Sequence, residues 1–257
     1  MPNPLAGDQR PLADILARIG SHKELKERSE KKNYAQRLSN ELAVLFADRL
    51  RKRYPKARIT PQKDGRDQEF RMGGPLDAKK TDVAVWDDRA GLILGISIKT
   101  ITSRDDKTGR YTKNAVRNDM ELRDEADKMH RRQPYAFLVG VMFLPLDSTW
   151  DGVEDHSSFA HIVFTLRKRT GRDAPDALRY DLFEQVAVAL FTDDGHVGFF
   201  PVEQAPPHNQ PPAPSRLLTL DEFVDSIEGQ VTERHMGLNA EKRYAPDDPQ
   251  WSPPGES

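Results

Sequence analysis

The stretch YAFLVGVMFLP, Tyr135 to Pro145, constrains the fold of this chain more than any other. It is apolar without interruption and ends on proline, as suits a strand hidden from water on both faces. It is too short to cross a bilayer, which takes about 20 apolar residues as a helix. A strand buried on both sides needs cover on both sides, and helices supply it. The expected class is therefore α/β.

Helical spacing supports that cover. Leu12, Ile15, Leu16 and Ile19 predict a short helix within residues 10–20. Leu38, Leu42, Leu45, Phe46 and Leu50 predict a longer one, stopped by Pro55 and carrying Glu41 inside it. AVRNDMELRDEADKMHRR reads as a charged helix anchored by Val116, Met120, Leu122 and Met129 and ended by Pro134. SSFAHIVFTLRKRTGR reads as a serine-capped amphipathic helix. Further strands are expected in ARITPQK, QEFRM, KTDVAVW and LILGISIKT, with a hairpin turning at Asp194-Gly195. The polar segment TSRDDKTGRYTKN reads as an exposed loop. The expected organisation is a domain over 1–204, a proline-rich connector over 205–216, a helix within 217–240 and a flexible tail over 241–257.

The strand LILGISIKT ends in an unusual way. Alternation places Leu92, Leu94, Ile96 and Ile98 on one face and Ile93, Gly95, Ser97 and Lys99 on the other. A lysine beside a serine and a glycine is poor sheet cover and a good reactive surface. Asp82 opens the preceding strand, and hairpin pairing brings the start of one strand beside the end of the next. Asp82 and Lys99 are thus expected at one end of the sheet. An aspartate holding a hard cation and a lysine facing a phosphate suit metal-assisted phosphodiester hydrolysis.

With these residues the chain resembles the PD-(D/E)xK nuclease superfamily over roughly residues 33–145. Asp82 in KKTDVAVW matches the family aspartate, Lys99 in ISIKT its lysine, and Glu41 the glutamate found on the first helix of many members. The resemblance implies a restriction-endonuclease-like αβββαβ core, here with a C-terminal hairpin and helix added. It also implies an Mg2+-dependent DNA endonuclease, with Mn2+ as a substitute metal, in restriction or another defence against foreign DNA. A homodimer and a partner protein of a defence system are implied in the same way. Two positions depart from the pattern. Thr81 replaces the proline before the aspartate, and Ser97 replaces the acid of (D/E)xK. In members with such a serine the missing acid has moved to the following helix, where Glu121 and Glu125 stand, with Asp119 nearby. Glu121 and Glu41 are the acids expected to join Asp82 at the metal.

Other readings stand beside this one. Asp82 is also a plausible turn residue and Lys99 an edge lysine. The basic residues Lys31, Lys32, Arg51 and Arg53 face either phosphates or simply water. His130 reads as a helix-end cation, and His156 and His161 as cap and surface residues. The rival functions are a non-catalytic nucleic-acid-binding member of the same fold and a scaffold whose connector docks partners. A formal net charge of −2 excludes a generic polyanion binder, and the lack of cysteine excludes disulfides, thiolate metal sites and cysteine nucleophiles. With no signal-like start and no membrane span, the expected location is cytoplasmic.

Overall fold

The computed structural model describes residues 5, 9–64, 66, 70–71, 80–87, 91–152 and 156–236. The expected tail, 241–257, lies outside them. The elements run α1 (Ala13–Ile19), α2 (Arg28–Arg53), β1 (Arg58–Thr60), β2 (Phe70–Arg71), β3 (Lys80–Thr81), β4 (Val83–Asp87), β5 (Gly91–Thr100) and α3 (Ala115–Arg132). They continue with β6 (Phe137–Pro145), α4 (Ser158–Leu166), β7 (Gln185–Phe191), β8 (Val197–Pro201) and α5 (Leu220–Met236). The protein is α/β. Its six-stranded open sheet has the order β1-β4-β5-β6-β7-β8 and is mixed, with β5, β6 and β7 parallel and the outer neighbours antiparallel. No helix among the described residues is long and apolar enough to cross a membrane.

The apolar run forms the central strand β6, buried at every position. One apolar layer packs α1, α2 and α5 on one sheet face, and a second packs α3 and α4 on the other. In α2, Tyr34, Leu38, Leu42, Phe46 and Leu50 are fully buried, one per turn of the helix. A capping box between Glu27 and Glu30 starts the helix, and it ends one residue before Tyr54-Pro55. The C-terminal helix α5, expected beyond a connector, contributes Phe223, Val224, Ile227 and Val231 to the same layer as α2.

Three local expectations are revised by packing. β5 carries a bulge: Val85 faces Leu94 and Trp86 faces Leu92, which leaves Ile93 unopposed. The bulge reverses the alternation, so Leu92 joins the α3 layer and Ile93 the α2 layer. On α3, Val116 and Met120 are 65% and 64% exposed. The buried face is instead Ala115, Leu122, Ala126 and Met129. In the loop after β5, Tyr111 is buried because its hydroxyl donates to Asp147 at 3.0 Å.

His130, expected as a cation at a helix end, is fully buried. Its Nε2 lies 3.2 Å from Glu184 Oε2. The same Glu184 carboxylate also meets Arg172 at 2.9 Å, Arg234 at 3.0 Å and the Leu138 amide at 2.6 Å. One acid therefore ties α3, β6 and α5 together. Burial pushes its pKa up, but the hydrogen bond and charge of His130, the Arg234 charge and the Leu138 amide outweigh this and hold it below the ordinary value.

Candidate active site

Asp82 occupies a bend between β3 and β4, where the chain leaves one short ladder and joins the main sheet. Thr81 and Ile98 hold it there. The buried Thr81 hydroxyl donates to Ile96 O of β5 at 2.9 Å and lies 3.3 Å from Val83 O, so it ties the bend to the neighbouring strand. The β4–β5 pairing ends at Val83 and Ile96. Beyond it, Asp82 Oδ2 accepts the Ile98 amide at 2.6 Å, in the place a further strand residue would take.

Lys99 follows Ile98 and points to the opposite face, towards α3. Its ammonium donates to Glu125 Oε1 at 2.7 Å and lies 3.4 Å from Glu121 Oε2. Glu121 and Glu125 are four residues apart and so share one side of the helix. The Lys99 and Glu125 side chains are 16% and 14% exposed, whereas Glu121 is 45% exposed. Burial pulls the Lys99 pKa down, but Glu125, by charge and hydrogen bond, and the charges of Asp82 and Glu121 together raise it. Lys99 is therefore cationic at neutral pH. Ser97, on the same face and buried, adds no charge and little volume beside it.

Lys99 thus meets Glu121 and Glu125 at the carboxyl end of β5, with Asp82 near enough for its charge to act on the ammonium. The structure does not bring Glu41 to them. Glu41 lies on α2, across the sheet, and accepts Arg18 at 2.5 Å. Asp119 is also turned away, held by Arg169 through two hydrogen bonds of 2.6 and 2.8 Å. Of the basic residues, Arg51 binds Asp48 at 2.5 Å and also the Pro61 carbonyl. Arg53 pairs with Asp225 and lies 3.3 Å from Glu228. Both brace α2 against its neighbours. Lys31 and the exposed Lys32 stand at the other end of α2, where Lys31 lies 3.3 Å from Asp106 in the loop after β5.

Among the described residues, no group of three or more His, Cys, Asp or Glu side chains is arranged as a ready metal cluster. The donor chemistry nonetheless suits a hard cation. Asp82, Glu121 and Glu125 offer carboxylate oxygens, and their combined field already stabilises one buried cation, the Lys99 ammonium. Two contributors were undervalued in the sequence. Glu125 is the closest partner of Lys99, and its signal was the spacing to Glu121. The Thr81 hydroxyl had no sequence signal, since its acceptors are backbone carbonyls set by the fold. Comparison with protein-family models, with curated proteins and with solved structures finds no match.

Proposed function

We propose that this protein is a metal-dependent nuclease of PD-(D/E)xK type that hydrolyses phosphodiester bonds in DNA. One observation carries the reading: at one end of the sheet Lys99 meets two glutamates of the next helix, beside an aspartate from the bend that precedes β4. The order α2, β1, β4, β5, α3, β6 supports it, because it repeats the αβββαβ core expected of such enzymes. Asp82 and Glu125, with Glu121 at the solvent side, are the residues that would hold Mg2+ or Mn2+. When bound, such an ion polarises a phosphoryl oxygen and makes its water a better nucleophile. Lys99 donates hydrogen bonds to the phosphate oxygen on which negative charge grows and orients the attacking water. Its raised pKa keeps it a donor rather than a base at neutral pH. Ser97 leaves room beside Lys99 for a helix glutamate to replace the strand acid. Action as a homodimer, in restriction or a similar defence against foreign DNA, belongs to the same proposal.

A second reading is a non-catalytic nucleic-acid-binding protein, favoured by the pairing of Lys99 with both glutamates. Incubating purified protein with supercoiled plasmid, with and without Mg2+ or Mn2+, separates the two. Metal-dependent nicking that falls by about 10²–10³ in Lys99→Ala is expected. No cleavage with either metal, or undiminished cleavage by Lys99→Ala, removes the nuclease reading.

A further inference from the structure

A second feature lies on the Lys99 face of the sheet, at the far end of the loop that leaves β5. There the rings of Phe164, His156 and His208 form a short strip on the surface. His156 and Phe164 meet edge to face with centroids 5.2 Å apart, and His156 and His208 are 4.4 Å apart. All three residues are exposed, Phe164 to 39%. Hydrogen bonds tie the backbone around two of these rings, at His156 and His208. Arg110, from the loop that follows Lys99, donates to the carbonyl of His156. The His208 carbonyl accepts the Ser157 amide at 2.9 Å, and Asn209 clasps Gly152 with bonds of 3.0 and 2.6 Å. The proline-rich connector is thereby pinned against the start of α4, with His208 at its tip. Arg167 lies over the Phe164 ring at 5.5 Å, while its own guanidinium is anchored on Val202 O and Gln204 O. Among the described residues, Arg110 and Arg167 bring positive charge to the strip, and Lys168 follows Arg167 in the chain, exposed. The neighbouring Asp151 carboxylate is engaged by the Ser158 amide and hydroxyl.

We propose that this strip binds single-stranded nucleic acid. Its bases stack on Phe164, His156 and His208, and its phosphates run beside Arg110 and Lys168. The ligand class rests on the nuclease reading, but the surface makes a separate demand: it needs unpaired bases, since a duplex hides base faces inside its own stack. Stacking on aromatic side chains stabilises each bound base and tolerates any sequence. The pinned backbone means that little ordering entropy is lost when the bases arrive. The connector then has a role in function, which is to hold His208 beside the His156 ring.

The test is fluorescence anisotropy in EDTA, with a labelled single DNA strand of about 15 nucleotides, the matching duplex and an abasic strand of equal charge as probes. The expected result is tighter binding of the single strand than of the abasic strand. Phe164→Ala combined with His156→Ala should weaken single-strand binding by about thirtyfold or more and erase that difference, with duplex binding and melting unchanged. Should the double variant unfold, His208→Ala on the connector should weaken single-strand binding by about fivefold or more. Equal affinity for the abasic strand, or an unchanged dissociation constant in the ring variants, overturns the proposal. Failure here alongside metal-dependent plasmid cleavage removes the strip and leaves the nuclease; base-dependent binding without cleavage does the reverse.

Discussion

The carboxylate of Asp82 extends the β4–β5 ladder by accepting the Ile98 amide at 2.6 Å, immediately before Lys99 in the chain. One side chain therefore closes the end of the sheet and supplies negative charge to the lysine beside it. The two roles are separable. Asp82→Asn keeps an amide oxygen for Ile98 but removes the charge, whereas Asp82→Ala removes both. Cleavage should fall by about 10²–10³ or more in either variant. Only the alanine variant should also lose about 1–3 kcal/mol of stability, for an amide left without its acceptor. Urea unfolding beside plasmid nicking checks this, and equal stability losses in the two variants would contradict it.

Thr81 should behave as a positioning residue. Thr81→Val keeps its shape but loses the hydroxyl that clasps Ile96 O and Val83 O, at a cost of about 1 kcal/mol. With the bend loosened, Asp82 acts less strongly on Lys99, and the Lys99 pKa should fall when followed by NMR. Thr81→Ser should restore it. A merely structural hydroxyl would change melting without moving that titration.

The pairing of Lys99 with Glu125 has a pH signature. The folded pKa of Lys99 is raised, so its stabilising contribution is complete below the unfolded value of about 10.4 and is lost as pH rises through the folded value. Stability measured from neutral to strongly alkaline pH should therefore decline more steeply in the parent than in Lys99→Met. Glu125→Gln should lower the Lys99 pKa more than Glu121→Gln, because Glu125 is closer and better buried. The same order is expected for loss of metal-dependent cleavage. A larger effect from Glu121→Gln on both would reverse the assignment.

Glu184 should be the costliest single acid to remove. Glu184→Gln takes from Arg172 and Arg234 the buried carboxylate that they share, and breaking such a buried pair typically costs about 3–5 kcal/mol. The folded pKa of Glu184 is depressed, so its contribution is present above the unfolded value and lost as pH falls through the folded one. Acid denaturation of the parent should show this loss, and Glu184→Gln should lack it. A variant with parental melting would show that the network contributes nothing net.

Much of this architecture is legible in the sequence, because its signals are local. An unbroken apolar run of strand length, closed by proline, suits a doubly covered strand, and β6 is one. Residues one helical turn apart from Tyr34 to Leu50 make one face of α2 whatever lies opposite. Glycine at 195 marks the β7–β8 turn through its positive φ of 94°, and a side chain there would collide with the Ala13 backbone. Alternation alone placed Ser97 and Lys99 on one side of β5, and the bulge at Ile93 falls too early in the strand to disturb them. What the chain could not announce depends on partners distant in sequence. Glu41 and Glu125 are both helix glutamates, and nothing local says which one faces Lys99. That is settled by the side of the sheet on which each helix lies, and α2 and α3 lie on opposite sides. The burial of His130 follows from a carboxylate 54 residues later, and the strip at Phe164 requires a connector that folds back onto α4. The sequence by itself determined the elements and the end of the sheet where chemistry could occur, since periodicity is a property of neighbours. Only the tertiary structure decided which charges meet, because Coulomb forces and hydrogen bonds act over a few ångströms of space and take no account of distance along the chain.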